Sequence, residues 1–432
     1  MTNCFKPILL TLFLLQGISA IAQFKLDSQG YSRPIITRNY HFNKKHYLVT
    51  NFGAVGDGKT NNTIAIQKTI DECSAKGGGV VEVPAGVFIS GAIFLKKGVN
   101  MVIDAKAVLK GSLNPDDYPQ IQSSFEGVDR TYTAAFINAQ NLSNFTVTGE
   151  GMIDGSGEDY ISVYRNITAK PKPGKPRLIC FDHCKNFTIS GLQLHNQAVW
   201  CLHLFKCTDV VADGLTITAE HNIPSSDGID IDQCTRVVIN HCDIDVNDDC
   251  ISIKAGRETN TVLNLLCQDI TIENTRFGYG HGGVAMGSET SGGIKNVLVS
   301  NCIAEAGNWA PVRFKSQQSR GGVVEHIVFK DFELKAVGKA FEMNMNWTSS
   351  HGVLAPPSNP LPVVKDVELI NVHGTAKSAG SLQGLKGSPI TNVKFTNCKV
   401  EAQTGLRMTD VKDVDYSGLN LKVSEGEKMI IN

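Results

Sequence analysis

Apolar and polar residues alternate with period two in short stretches that recur along most of the chain. Each stretch is followed by Asn, Gly, Asp or His and then by a second apolar alternation, as in Phe187–Gly191, Val237–His241 and Val297–Asn301. Period two is the spacing of a β-strand with one buried face. No 3.6-residue period separates the stretches, so the pattern predicts strands that follow one another without helices between them.

The distance between successive stretches is irregular. The residues that close them are Gly191, Gly214, His241, Asn274, Asn301, Asp331, Asn371, Asn397 and Gly418, in steps of 21 to 40 residues. A regular strand pattern with irregular steps is typical of a solenoid whose coils carry loops of different length. The sequence therefore predicts an all-β fold, a single-stranded parallel β-helix; a β-sandwich is the alternative.

One segment near the start has a helical pattern instead. Residues 62–76 carry apolar side chains at Ile64, Ile66, Ile70 and Cys73 and end before a run of glycines. A solenoid must cover its open first coil, because an exposed coil is an edge at which molecules aggregate. We expect a short amphipathic helix that caps this end.

The first 22 residues have the pattern of an export signal. Lys6 precedes the apolar run Ile8–Leu15, and the small-residue site Ala20–Ala22 follows. This predicts a signal peptide over 1–22, cleavage before Gln23, and one domain over 23–432 that is periplasmic or secreted. The apolar run is too short to span a bilayer, and we expect no membrane association after cleavage.

Composition narrows the classes of partner and cofactor. The 432 residues include 41 basic and 42 acidic side chains, a net charge of −1, which gives no reason to expect a nucleic-acid partner. The cysteines fall at apolar strand positions, so we expect most to be buried thiols, and pairing among Cys180, Cys184, Cys201 and Cys207 stays open. The sequence contains no pair of CxxC motifs that would predict a zinc site. We expect no metal or other cofactor.

The segment Gly53–Thr60 matches the phosphate-binding loop pattern in full. No alternating strand–helix sheet follows it, and the export signal argues against a nucleotide substrate. We therefore interpret it as a glycine-rich turn that leads into the capping helix.

Four consecutive coils between residues 227 and 315 line up by their apolar residues. The inward pairs are Ile229 and Ile231, Ile251 and Ile253, Val284 and Met286, Val312 and Phe314. Because side chains alternate across a strand, their neighbours point outward. Two outward columns follow, one of Asp230, Ser252, Ala285 and Arg313, the other of Asp232, Lys254, Gly287 and Lys315.

The same alignment brings acidic residues together at the start of these strands. Asp227 stacks on Asp249, Asp248 lies beside them, and His281 of the next coil faces Asp248. Aspartates also end strands for conformational reasons, and for a single aspartate that explanation is as good as a catalytic one. Three carboxylates, a histidine, an arginine and a lysine on one face favour a functional site.

The chemistry of this set is that of a glycosidase acting on an acidic sugar. Adjacent parallel strands lie about 4.8 Å apart, so Asp227 and Asp249 can hold one water between them. A proton-donating carboxyl opposite a water-activating carboxylate serves an inverting glycosidase, and crowding raises the pKa of at least one carboxyl. Arg313 and Lys315 can bind a substrate carboxylate, the arginine through its planar fork.

Four segments in this order resemble the signature segments of the polygalacturonase family, glycoside hydrolase family 28. They are Ser226–Asp230, Asn247–Lys254, Gly280–Gly283 and Arg313–Lys315, and Asn51–Gly58 and Gly149–Gly155 are also similar to that family. Ser225-Ser226 stands where Asn-Thr is usual in that family, and Asn247 stands where Gly is usual. The stretches Gly278–Gly283 and Gly287–Glu289 are more similar to bacterial exo-acting members than to fungal endo-acting ones.

The resemblance implies a right-handed parallel β-helix that hydrolyses galacturonic acid linkages of pectin with inversion. It assigns Asp248 as general acid, Asp227 with Asp249 as the pair that activates water, and His281 as a supporting residue. It also makes Arg313 and Lys315 the ligands of the galacturonate. We expect a monomer that acts on pectic poly- or oligosaccharides.

Long insertions favour exo-action within this class. The segments Tyr164–Arg177 and Asn346–Pro362, the latter with Trp347 and His351, are long enough to block a groove, and Trp347 is a candidate platform for a sugar ring. Two other functions stay open. One is a lyase that uses Ca²⁺, which the aspartates can bind, and the other is a non-catalytic β-helix that binds glycans.

Overall fold

The computed structural model describes residues 45–170, 172–258, 263–348 and 355–432. It also gives the backbone of the strands Gln23–Leu26 and Ser32–Ile35, which pair antiparallel. The predicted signal peptide, residues 1–22, lies outside the described residues. No helix in the described part of the chain is long and apolar enough to cross a membrane.

The strands stack in parallel into three sheets, with the same three positions used again in every coil. The first sheet contains His46–Leu48, Gly79–Val83, Val99–Ile103, Ser143–Gly149, Lys185–Ser190, Thr208–Asp213, Thr235–Asn240, Cys267–Glu273, Ile294–Ala304, Val323–Asn344, Val363–Gln383, Ile390–Thr396 and Val411–Asp415. The second contains Asp57–Asn61, Gly86–Ser90, Ala107–Gly111, Met152–Asp154, Gln193–His195, Thr216–Thr218, Asp243–Asp245 and Arg276–Phe277. The long strands after Ile294 bend and continue into it, joined by Cys398–Thr409 and Leu419–Ile431.

The third sheet carries the predicted site. Its strands are Ile93–Phe94, Ile137–Gln140, Ile179–Asp182, Leu202–Phe205, Ile229–Asp232, Asp249–Lys254, Gly280–Met286 and Asn308–Lys315, followed by the last parts of the four longest strands. All of these pairings are parallel, so the sandwich alternative is wrong and the right-handed parallel β-helix is confirmed. The inward residues of the three sheets form one continuous apolar core.

The residues that close each sequence repeat lie at the corner between the first and second sheets. All of them except Gly418 have a positive φ, for example 49° at His241, 53° at Asn274 and 51° at Asn301. Left-handed backbone is accessible to glycine and, at low cost, to Asn, Asp and His. The recurring residue types are therefore a consequence of the corner that every coil must turn.

The cysteines of the described residues are all buried. Cys184, Cys207 and Cys234 follow one another in the register of the first sheet, and the Cys207 amide donates to the sulfur of Cys234 at 3.3 Å. Cys180, Cys184, Cys201 and Cys207 are free thiols in this structure. They fill space in the core as small apolar side chains.

The predicted cap is the helix Thr63–Ala75, which packs Ile66, Ile70 and Cys73 into the first coils. Ile64 was wrongly expected on the buried face, since 84% of it is exposed. The phosphate-loop match is a turn followed by a strand. The carboxylate of Asp57 accepts hydrogen bonds from the backbone amides of Lys59 and Thr60. Those amides are therefore not available to bind a phosphate.

Three kinds of element stand outside the stacked sheets. Short 3-10 helices cover Val49–Phe52 and Pro115–Asp117. A second α-helix covers Gly157–Arg165, with Tyr160 and Ile161 buried. The strands Gln120–Phe125 and Val128–Thr133 form an antiparallel hairpin, which we call the 120–133 hairpin.

Candidate active site

Four neighbouring strands of the third sheet align as the sequence predicted. Asp230 pairs with Ser252, Ser252 with Ala285 and Ala285 with Arg313. The eight apolar residues predicted to point inward are all buried. Because the register is fixed by the buried column, the outward residues of the four coils necessarily share one face.

Three carboxylates meet at the start of these strands. One oxygen each of Asp227, Asp248 and Asp249 lies within 4.8 Å of the others. Asp227 and Asp249 are buried, whereas Asp248 is half-buried. The amide of Asp249 donates to Oδ1 of Asp248 at 3.0 Å, which fixes the two side chains relative to each other. A water that bonds to two carboxylate oxygens spans up to about 5.5 Å, so the cluster is the right size to hold one.

Two residues that depart from the family pattern hold the turns that carry these aspartates. The Ser226 hydroxyl donates to the carbonyl of Ile223 at 2.9 Å and accepts the amide of Asn247 at 3.2 Å. The Asn247 side chain donates to the same carbonyl at 3.1 Å. The departures thus join the two turns directly, and they leave the carboxylates in place.

Arg313 and Lys315 are paired with the deepest aspartate. Arg313 Nη1 lies 3.0 Å from Asp249 Oδ1, and Lys315 Nζ lies 2.5 Å from Asp249 Oδ2. Arg313 also binds Glu342 through Nε at 3.1 Å. Both cations are largely buried, and both oxygens of Asp249 are occupied by them. Arg313 and Lys315 therefore fix the position of the Asp249 carboxylate through both of its oxygens.

His281 pairs with Asp248, as the sequence predicted. Its Nδ1 lies 3.3 Å from Asp248 Oδ1, and half of its side chain is exposed. The hydrogen bond to Asp248 raises the pKa of His281. Burial opposes ionisation of Asp248, but the hydrogen bond from His281 and the charge of Lys315 outweigh it and lower the pKa of Asp248. Asp248 is therefore an anion in the free site.

Asp227 is the carboxyl of the cluster that most favours its protonated form. Burial raises the pKa of Asp227 well above its usual range, and the charges of Asp230 and Asp248 add to the effect. The crowding of carboxylates predicted from the sequence contributes to this raised pKa, but burial is its largest cause. The residue that holds the proton without substrate is not, however, the one to which the family resemblance gives the general-acid role.

A second ion cluster lies behind the aspartates, and the pattern of residue types did not indicate that it would be buried. Lys254 Nζ lies 3.5 Å from Asp230 and 3.2 Å from Glu289. Burial raises the pKa of Asp230 to about 8. Burial also opposes ionisation of Glu289, but Lys254 and Arg320 outweigh it and lower the pKa of Glu289 to about 2. This cluster is a charged floor beneath the site rather than a surface that binds substrate.

The 120–133 hairpin covers this floor. A Cβ added at Gly127, at its tip, would lie 3.0 Å from Arg257 and Glu289, so the tip packs closely against both. Arg177 anchors the hairpin with hydrogen bonds to the Ser124 carbonyl at 2.9 Å and the Ser123 hydroxyl at 2.7 Å. Arg177, at the end of a predicted insertion, is thus a fully buried structural residue. The hairpin occurs once, so the repeat pattern could not reveal it.

The end of the predicted insertion Tyr164–Arg177 lies next to the turn that carries Asp227. A Cβ at Gly174 would come within 2.3 Å of Tyr132, so this loop presses against the hairpin. Lys175 Nζ donates to the carbonyl of Pro224 at 3.0 Å, three residues before Asp227. The segment 173–175 therefore connects the hairpin to the turn that carries Asp227 and closes the groove on that side.

The opposite side of the cluster is open and aromatic. Trp309 follows His281 in the register of the sheet and is 46% exposed. Trp347, a predicted platform, has its ring centroid 5.4 Å from Lys315 Nζ. The second predicted insertion packs on residues 316–318 through hydrogen bonds of Trp347 and Ser358, and its His351 lies outside the described residues. Trp309 was missed because a single aromatic residue in a strand is usually part of a core.

The comparisons with known proteins agree with this geometry. Residues 73–421 match the model of glycosyl hydrolases family 28. The chain is 26% identical over 425 residues to an exo-poly-alpha-D-galacturonosidase of Dickeya chrysanthemi, which covers 86% of this chain and 70% of that protein. It is 29% identical over 363 residues to an endo-polygalacturonase of Pectobacterium carotovorum subsp. carotovorum, which covers 81% of this chain and 86% of that protein.

A solved structure shows the same fold. The family 28 exopolygalacturonase of Yersinia enterocolitica superposes with a TM-score of 0.81 at 24% identity, over 94% of this chain and 81% of that chain. The family match extends over most of the sequence and includes all four coils that build the aspartate cluster. The chain belongs to glycosyl hydrolases family 28.

Proposed function

We propose that the protein is an exo-acting hydrolase that cleaves α-galacturonosidic linkages in pectic poly- and oligosaccharides with inversion. The observation that carries this proposal is the group of three carboxylates within 4.8 Å of one another, flanked by Arg313 and Lys315. Carboxylates supply the acid and base of glycoside hydrolysis, and the two cations match the charge of a uronic acid substrate.

In the proposed mechanism Asp248 protonates the glycosidic oxygen, and Asp227 with Asp249 takes a proton from the attacking water. The water oxygen bonds to the anomeric carbon as the bond to the leaving sugar breaks. Lys315 is one cause of the low pKa of Asp248. A substrate carboxylate bound to Lys315 neutralises that charge and raises the pKa of Asp248, so the proton held by Asp227 in the free site moves to Asp248.

The stereochemical outcome is a separate part of the proposal. Inverting glycosidases usually hold their two carboxyl groups about 6.5–9.5 Å apart, and retaining ones about 5–5.5 Å apart. The nearest oxygens of this cluster lie within 4.8 Å, so inversion is supported by family membership and not by this spacing. Proton NMR of the first product formed from trigalacturonate distinguishes the two. An initial β-anomer supports inversion, and an initial α-anomer contradicts it.

Exo-action is supported by the closed side of the groove. The segment 173–175 presses against the hairpin and is hydrogen-bonded to the turn before Asp227, which favours entry of a chain by its end. We expect monomer from the start of polygalacturonan digestion with a slow fall in viscosity. A variant in which residues 166–176 are replaced by a short Gly-Ser linker should lower viscosity faster per bond cleaved. Rapid loss of viscosity by the unaltered protein would contradict exo-action.

Analysis of the digestion products also tests the two alternative functions, a Ca²⁺-dependent lyase and a non-catalytic glycan-binding protein. A lyase produces an unsaturated sugar that absorbs ultraviolet light and loses activity when Ca²⁺ is chelated. Both oxygens of Asp249 are already bound by cations, which disfavours Ca²⁺ at this cluster. A non-catalytic glycan-binding protein releases no reducing sugar at all.

We also propose that the mature protein begins at Gln23 and acts as a periplasmic or secreted monomer. The motive is the signal-peptide pattern over residues 1–22. Mass spectrometry of the N-terminus after cell fractionation tests the cleavage and the compartment. Light scattering on the purified protein tests the oligomeric state.

A further inference from the structure

A second basic region lies on the closed side of the aspartates. It lines a cavity of about 780 Å³ between the 120–133 hairpin and the 166–177 loop, with Val199 and Ser225 at its base. Its cationic residues are Arg130, Lys172 and Lys175, and its acidic residue is Glu126. This is the size of a small-ligand site, and we call it the cationic cavity.

The three cations have no anionic partner among the described residues. Arg130 lies over the rings of Phe125 and Tyr132, 5.5 and 5.4 Å from their centroids. Lys172 Nζ lies 4.3 Å from the ring centroid of Tyr164. Contacts with aromatic faces stabilise a cation without neutralising it. The cavity therefore keeps a positive charge that its own chain does not balance.

Lys175 links the cavity to the reaction centre. Its hydrogen bond to the Pro224 carbonyl places its charge on the turn Pro224–Asp227, and Ser225 of that turn lines the cavity. Burial lowers the pKa of Lys175 to about 8, and the charge of Asp227 opposes the shift. Lys175 is partly buried, and an anion that enters the cavity would stabilise its ammonium group.

We propose that the cationic cavity binds the carboxylate of the terminal uronic acid unit, on the side of the scissile bond opposite to Arg313 and Lys315. This inference rests on the proposed function for the identity of the substrate. It adds the requirement that two adjacent sugars of the substrate are both acidic. A chain that carries a neutral sugar at its end would place a hydroxymethyl group among unpaired cations. The site therefore selects for a homopolymeric galacturonate end.

Direct binding tests this without relying on turnover. The probes are D-galacturonate and D-galactose, titrated by calorimetry into the Asp227→Asn protein, in which hydrolysis is blocked. Lys175→Gln and the double variant Lys172→Gln/Lys175→Gln are compared with Lys412→Gln, a control on the exposed surface of a distant coil. We expect galacturonate to bind at least tenfold more weakly to the double variant, with no change in the control or in galactose binding.

Two results would contradict the proposed binding of galacturonate in the cationic cavity. One is galacturonate affinity that is unchanged in the double variant, and the other is wild-type binding that does not distinguish galacturonate from galactose. Thermal unfolding midpoints must match the control, and Arg130→Gln provides a second variant on the hairpin if they do not. Failure of the proposed function looks different, because no pectic substrate would then be hydrolysed whatever the affinity for galacturonate.

Discussion

Two regions flank the aspartate cluster. One is built from repeated elements of the solenoid, and the other from elements that occur once. On the side of Arg313, Lys315 and Trp309 the site consists of strands of the solenoid itself. On the side of Lys175 it consists of the 120–133 hairpin and the 166–177 loop. The strands repeat the geometry of their neighbours, whereas the hairpin and the loop occur once. In the proposed function the solenoid supplies the reaction chemistry, and the hairpin and the loop determine which part of a substrate reaches it.

The largest effect should come from Asp248, the proposed proton donor of the cluster that the two regions flank. Asp248→Asn keeps the shape of the side chain but removes the proton donor, and we expect kcat to fall by at least about 10³-fold with little change in substrate binding. The control is Asp243→Asn, an exposed aspartate of the second sheet that pairs with Arg276. If Asp248→Asn retains activity within tenfold, the acid is another residue, and Asp227, which holds the proton in the free site, is the next candidate.

The second effect tests the strand-built side. Arg313→Ala removes a fork that binds Asp249 and Glu342, and we expect a loss of about 2–5 kcal/mol in kcat/KM for galacturonate substrates. Arg313→Lys keeps the charge without the fork and should recover part of the loss. Equal kcat/KM for the two variants would mean that the fork plays no part.

The third effect is a pH dependence. The pKa of His281 is raised by Asp248, so the pair contributes stability that is complete below the ordinary pKa of histidine and is lost as pH rises through the raised value. We expect kcat/KM to fall over the same alkaline window. His281→Gln should lower kcat/KM about tenfold and remove that limb of the pH profile. A limb unchanged in the variant would assign it to Lys175 or another group.

The smallest effect concerns aromatic contacts on the open side. Trp309→Ala should raise KM for longer oligosaccharides about fivefold, since an aromatic contact contributes about 1 kcal/mol, and should not affect digalacturonate. Trp309→Phe keeps a ring and should restore most of the affinity. An equal change for short and long substrates would make Trp309 a residue of the first sugar site instead.

The sequence predicted the residues of the site well and their electrostatic state poorly. Asp227, Asp248, Asp249 and His281 were placed correctly because period two and the buried column determine which side chains share a face. The location of the proton on Asp227 depends on how deeply each carboxyl is buried. Burial of that kind is set by the whole fold, so a pattern of residue types does not contain it.

The closed side shows the same division between what repeats and what does not. The 166–177 loop was recognised as an insertion because it interrupts the coil pattern, but its contact with Tyr132 is between segments far apart in sequence. The 120–133 hairpin was missed for the same reason. Ile64 was placed on the wrong face because the helix was judged by its apolar residues alone, without the position of the coil that it covers.

The buried cysteines allow the unfolding of this molecule to be followed coil by coil. They are distributed from Cys73 in the cap helix to Cys398 near the last coils, and a thiol reacts with an alkylating reagent only after its own coil has opened. In a solenoid each coil contacts only its neighbours, so opening can begin at one end and proceed along the axis. Pulsed alkylation followed by peptide mass spectrometry would therefore show which end opens first, with native residues as the reporters.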